Sequence, residues 1–295
     1  MTSPLRYALG SLIVGLVVLG VKAGAWYVSG SAALYSDALE SLVNVFAAVM
    51  VILALRAAAK PADLEHPYGH AKAELLSAVA EGGLIVFAAV LILERAAHTI
   101  LAPHLPASPA LGLALNASSG VINAVWAVIL TRSGAAARYP ALAADRSHLV
   151  ADAITTVGIV GGLTIAILLD VPILDPLIAI AIAIQIAVMG GRTILNSLSL
   201  LLDRAPPPDI VARIRSLVGT HAVGALEAHD MRMRQAGRSS FLEFHLVVPG
   251  TMTVADSHLI CDRIEAALKE EMPGVIITIH VEPDHKAKHQ GVLVV

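Results

Sequence analysis

Six apolar runs, each about as long as a bilayer is thick, decide what this chain can fold into. They cover residues 8–28, 33–56, 74–98, 109–131, 147–169 and 173–195. A helix needs roughly 20 residues to cross the hydrocarbon, because each residue advances it by only ~1.5 Å. In lipid the backbone must satisfy its own hydrogen bonds, so such runs are expected to form spanning helices. Composition agrees: 57% of the residues are hydrophobic and 15% are charged, against about 25% charged in a soluble domain. The first run lacks a small-residue cleavage site followed by a polar start, so it reads as a retained span and not as a secretory leader.

Near residue 206 the character changes. Charges become frequent, regular segments shorten, and Pro206-Pro207-Pro208 marks the boundary. Two domains are expected, a six-helix transmembrane domain over 1–205 and a soluble domain over 206–295. In the second, periodicity predicts helices at 209–218 and 254–271 and strands at 224–234, 239–248 and 275–282. "LEFHLVV" alternates as a half-buried strand does, and "SHLICDRIEAAL" repeats as an amphipathic helix does. The order αββαβ predicts a small open α+β sheet with helices on one face, as in metallochaperones. His285 and His289 lie in a tail without a readable pattern.

Basic residues set the orientation. Arg56, Lys60 and Lys72 follow the second run, Arg132, Arg138 and Arg146 follow the fourth, and Arg192 and Arg204 surround the end of the sixth. The opposite connections, 29–32, 99–108 and 170–172, have no Lys or Arg. Both termini and the soluble domain are therefore expected in the cytoplasm, with the protein multi-pass in the inner membrane. A net charge of −3 with no basic stripe gives no reason to expect nucleic acid as a partner. Cys261 is the single cysteine, which excludes an intramolecular disulfide.

Against this background the acids inside the runs stand out. Asp37, Glu40 and Asn44 fall at i, i+3 and i+7 of the second run, and Asp145, His148 and Asp152 repeat that spacing in the fifth. Each set occupies one helix face. If the faces meet, Glu40, Asn44, His148 and Asp152 supply four ligands, with Asp37 and Asp145 about a turn nearer one end. Ionisable groups in a membrane face a protein interior or a wet cavity and mark ion paths. Carboxylates with imidazole suit Zn(II), Fe(II), Co(II) or Mn(II) better than Cu(I), which prefers sulfur. The bland alternative is a set of interfacial or helix-joining polar residues. Lys22, deep in the first run, either snorkels, bonds to an opened helix or neutralises the acids, with Glu81 of the third run as its expected packing partner.

The stretches "GSAALYSDALESLVN", "HPYGHAKAE" and "HLVAD", in this order and across nearly the whole chain, resemble the cation diffusion facilitator (cation efflux) family. The resemblance implies export of divalent transition-metal ions from the cytoplasm in exchange for protons, by a homodimer in the lipid bilayer. It implies a transport site at Glu40 and Asn44 on the second span and His148 and Asp152 on the fifth. Zinc-transporting members commonly carry Asp or His at the first pair. Glu40 and the neutral Asn44 depart from that and leave the metal open among Zn, Fe(II), Co and Mn. The resemblance also implies a second metal site at Asp63, His66 and His70, where Pro67 places His66 ahead of the third helix. It implies a cytoplasmic, binuclear metal cluster drawn from His229, His245, His258, His280 and Glu282, and a Lys72–Asp203 interlock at the dimer centre. No cofactor is expected beyond such divalent ions. Two readings without transport compete, a membrane metal sensor and an intramembrane metalloenzyme. The first needs an output module, and the second a catalytic pattern such as H-E-x-x-H or G-x-S-x-G. Neither is present in the sequence, so an enzyme is not expected.

Overall fold

The computed structural model describes residues 4–103, 105–134, 140–236, 239–288 and 291–293. Arg138 and His289, used above, lie outside them. Six long helices carry the apolar runs: α1 (Pro4–Ser29), α2 (Ala32–Ala58), α3 (Ala73–Leu101), α4 (Pro109–Arg132), α5 (Pro140–Leu168) and α6 (Leu174–Leu201). All six hold a segment long and apolar enough to span a membrane. Helix α5 starts earlier than its apolar run and α6 continues past its own. Hydropathy marks the lipid-facing length, whereas the helix extends as long as its backbone bonds do. Pro140 opens α5, where a missing N–H has no partner to lose.

Two compact units emerge, Met1–Leu53 with Ser77–Ile194, and Ala54–Leu76 with Leu195–Val295. In the first, Leu34, Val43, Ile85, Ile92, Ile159, Leu163 and Ile186 form a buried core drawn from α2, α3, α5 and α6. The outer surface carries Ile13, Phe46, Phe87, Val121 and Ile154, as helices solvated by hydrocarbon require. Helices α3 and α6 meet backbone to backbone. A Cβ placed on Gly82 would lie 2.8 Å from the Gly190 carbonyl oxygen, and one on Gly190 would lie 2.9 Å from that of Gly82. Small residues of this kind allow close helix packing where no hydrophobic effect drives it. Buried Asp175, in the first turn of α6, also caps α2. It accepts hydrogen bonds from Ser31 Oγ (2.7 Å), Ala32 N (2.9 Å) and Ala33 N (2.8 Å). It thereby satisfies orphan donors that water cannot reach there.

In the second unit, α7 (Pro208–His221) and α8 (Val254–Glu271) cover a four-stranded sheet of order β3-β2-β1-β4. The strands are β1 (Glu227–Ala236), β2 (Ser239–Val248), β3 (Val275–Pro283) and the short β4 (Val292–Leu293). Strands β1 and β2 are antiparallel, β2 and β3 parallel, and β4 adds antiparallel to β1. Leu242, Phe244 and Leu246 of β2 pack with Ile214, Val218, Ile260, Ile264 and Leu268 of the helices. The intervening β2 residues, His245 among them, therefore face away from the helices. The α+β order expected from the sequence holds, and β4 extends it.

Candidate metal centres

Among the spans, α1 and α2 bring Lys22 and Asp37 together. The Lys22 ammonium donates to Asp37 Oδ1 at 2.7 Å, and each side chain is only 1% exposed. This is the neutralising role among those open to Lys22, and it corrects the expected partner. Glu81 is not beside Lys22 but lies within electrostatic reach of His148 on α5.

Glu40 and Asn44 sit on the same helix as Asp37, and Asp152 on α5. Of the charges around Glu40, Asp152 acts most strongly, ahead of Lys22 and Asp37. The Asn44 side-chain N–H₂ is buried without a hydrogen-bond partner. His148, one turn before Asp152, is exposed and is sensed by Glu81 and Asp145. Glu40 on α2 and Asp152 on α5 thus lie within electrostatic reach of one another. Glu40, His148 and Asp152 do not converge within 4.8 Å of one another, as Asp63, His66 and His70 do and as His229, Asp230 and His245 do. Asp145 has a local partner: it accepts from Ser11 Oγ, which in turn accepts from Trp126 Nε1 at 2.8 Å. Asp37 and Asp145 are therefore occupied by packing partners.

The first cluster lies in the connection between α2 and α3. Ligand atoms of Asp63, His66 and His70 fall within 4.8 Å of one another. Asp63 Oδ1 accepts from the backbone N–H of Glu65 (3.0 Å) and of His66 (2.7 Å), an Asx-type turn that fixes the carboxylate. The bond from His66 N–H is the main reason its carboxyl is held below the usual range. The His66 and His70 rings meet at a tilt of 44°, with centroids 4.4 Å apart. Helix α3 begins only at Ala73, so both histidines precede it. Nearby, Lys72 Nζ donates to Asp203 Oδ1 at 3.1 Å, and this bond holds the Asp203 carboxyl low. Arg234 adds a contact to the same oxygen at 3.4 Å while its guanidinium lies over Phe241, 4.4 Å from the ring centre.

The second cluster runs across three strands. Register places His229 of β1 opposite His245 of β2, and His245 beside His280 of β3. Ring centroids are 5.3 Å apart for the first pair and 4.8 Å for the second. Glu282, two residues beyond His280 on the same strand face, reaches all three. Its oxygens lie 3.3 Å from His229 Nε2, 3.2 Å from His245 Nδ1 and 3.6 Å from His280 Nε2. Both nitrogens of buried His229, and Nδ1 of His245, have no aligned hydrogen-bond partner. Unsatisfied buried nitrogens are costly, and a divalent ion would take the lone-pair nitrogen of each ring, leaving the other nitrogen as an N–H donor. Within one chain His258 does not join the row: it is 74% exposed on α8, beside Asp262 at 3.6 Å. Asp230 was missed by the sequence reading. It is the third member of a group with His229 and His245 whose ligand atoms lie within 4.8 Å. The adjacent "HD" pair was its only signal.

Six spans that bury Asp37 and Asp152, joined to a small α+β sheet rich in histidine, point to a membrane cation transporter. The chain belongs to the cation diffusion facilitator (cation efflux) family. The family's cation efflux transmembrane domain matches residues 8–202, and its cytoplasmic domain matches residues 206–284. An uncharacterized transporter of Synechocystis sp. is 38% identical over 277 residues, 94% of this chain and 89% of that protein. The cation-efflux pump FieF of Serratia proteamaculans is 30% identical over 285 residues, 94% of this chain and 91% of that protein. That of Cronobacter sakazakii is 29% identical over 287 residues, 94% and 92% of the two chains.

Proposed function

We propose that this protein exports a divalent transition-metal ion from the cytoplasm by exchange for protons, as a homodimer in the inner membrane with both termini cytoplasmic. The electrostatic reach between Glu40 on α2 and Asp152 on α5 carries the reading. Two carboxylates that repel one another in an apolar bundle are relieved by a cation, and Lys22 is already committed to Asp37. Asn44 contributes a neutral oxygen donor and His148 an imidazole from the turn before Asp152. Rocking of the helices that carry these residues would expose them to each side in turn. Ligands must shed protons to bind metal, so protons arriving from outside compete for Glu40, His148 and Asp152 and favour release. The donor set admits Zn, Fe(II), Co and Mn.

The Asp63–His66–His70 and His229–His245–His280–Glu282 clusters lie outside the spans. They would bind metal as sensing or stabilising sites, with Lys72–Asp203 as a fixed link in the dimer. The test is metal uptake into proteoliposomes at matched free concentrations of the four ions, with and without a proton gradient. Accumulation of at least one ion that falls when the gradient is collapsed is expected. Absence of flux for all four would favour a sensor, and flux indifferent to the gradient would favour a channel or uniporter.

A further inference from the structure

The C-terminal segment beyond the matched cytoplasmic domain touches the histidine row at two carboxylates. Lys288 Nζ donates to Asp230 Oδ2, and Gly291 N–H donates to Glu227 Oε1 at 2.9 Å. Strand β4 then pairs with Glu227 and Ala228 of β1. Those two acids flank His229: Glu227 Oε1 is 3.8 Å from its Nδ1, and Asp230 belongs to the group with His229 and His245. Asp230 has φ 51°, a left-handed conformation, at the point where the β1–β2 register shifts between His229 and Arg232. A bulge of this kind re-aims side chains. Here it puts Asp230 on the side of the rings, where regular alternation would turn it away.

We propose that Asp230 is a further ligand of the His229–His245–Glu282 metal centre, and that Lys288 competes with the metal for it. Metal binding and the docking of Lys288 on β1 then oppose each other. The inference rests on the reading of this cluster as a metal centre. Ligand atoms of His229, Asp230 and His245 lie within 4.8 Å of one another, and Glu282 approaches the same two rings at 3.3 and 3.2 Å, donor types that suit a zinc-like ion. The Lys288 ammonium already neutralises one of those carboxylates, and a divalent ion a few ångströms away repels it. Lys288 and Asp230 also face solvent, with 50% and 34% of their side chains exposed. The competition is therefore shallow and reversible, as exposed ion pairs are, which suits adjustment of affinity better than an all-or-none lock.

The test uses the full chain in detergent, carrying Asp152→Ala and Asp63→Ala to weaken the other sites. Zn(II) is titrated against a chromophoric chelator. Lys288→Met should tighten binding roughly two- to fivefold, the scale of an exposed ion pair. Asp230→Asn should weaken it about tenfold, the least expected for losing a group around a metal, and should abolish the effect of Lys288→Met. In the parent, Zn(II) should also speed acylation of Lys288, read by peptide mass spectrometry. An unchanged affinity in Lys288→Met, or an equal gain in the Asp230→Asn background, overturns the competition. A His245→Ala variant that loses no zinc overturns the metal centre itself, so the two failures are distinguishable.

Discussion

Replacing Lys22 with Met should destabilise the spans more than any other single change to the ionisable residues there. The Lys22 ammonium and the Asp37 carboxylate are 2.7 Å apart and 1% exposed, and Asp37 Oδ2 has no other hydrogen-bond partner. Removing the lysine leaves a buried carboxylate with no cation paired to it and the Asn116 amide as a polar neighbour. Breaking one side of such a pair costs about 3–5 kcal/mol, whereas replacing both sides with apolar groups of similar volume is often neutral. Lys22→Met should therefore lower the unfolding midpoint of the detergent-purified protein sharply, read by circular dichroism. Lys22→Met/Asp37→Leu should recover most of the loss. The double variant should also still move metal, because the pair holds α1 to α2 and Asp37 is not counted among the transport ligands. A single variant as stable as the parent, or a double variant as damaged as the single, would refute the pairing argument. A stable double variant without flux would instead place the pair in the ion path.

Asp152→Ala should abolish metal flux into proteoliposomes while leaving the circular-dichroism spectrum and midpoint near parental values, since it removes one of two mutually repelling acids. Asn44→Asp should shift the relative rates of the four ions toward Zn(II) or Mn(II); identical rates would exclude Asn44 from contact with the ion. Gly82→Leu should disrupt α3–α6 packing and reduce folded yield by fluorescence size-exclusion chromatography, because even a Cβ there lies 2.7 Å from Ile194 Cγ1 and 2.8 Å from the Gly190 carbonyl oxygen. Overpacking of this kind costs about 1–3 kcal/mol or more. A Zn(II)-dependent rise in the midpoint should be diminished by His245→Ala/His280→Ala and untouched by His258→Ala, which within one chain does not join the row.

The spans were legible because their apolar length has few other uses, and the sheet because β2 alternates so plainly. The helix ends were less so: the polar first turns of α5 and the last turns of α6 carry no hydropathy signal, yet their backbone bonds continue. Spacing placed Asp37, Glu40 and Asn44 on one face but not which helix that face meets. For that reason spacing leaves the partner of Lys22 open between the acids of the second run and Glu81, and the structure selects Asp37. Asp175 had no signal at all for its role in capping α2, because its partners are some 140 residues earlier in the chain. His258 could have been separated from the row. Ser257, Ile260, Cys261, Ile264 and Leu268 form the buried stripe of α8, and His258 falls off it. Asp230 needed the bulge, which no repeat in the sequence announces.

The middle of the bundle holds three carboxylates, Asp37, Glu40 and Asp152, and one ammonium, Lys22, which acts on all three. Because Lys22 and Asp37 share a short bond, that pair is neutral as a unit and fixes α1 against α2 whether or not an ion is present. Glu40 and Asp152 are then the formal charges left over, one from each side of the proposed path, and together they match one divalent cation. A neutral residue at position 44 is consistent with that balance: an amide oxygen adds a donor without a third charge for the ion to neutralise. On the proposed function, the ion that balances the site can also be replaced by protons on the same two carboxylates. The exchange of metal for protons then needs no charged group beyond those the spans already carry.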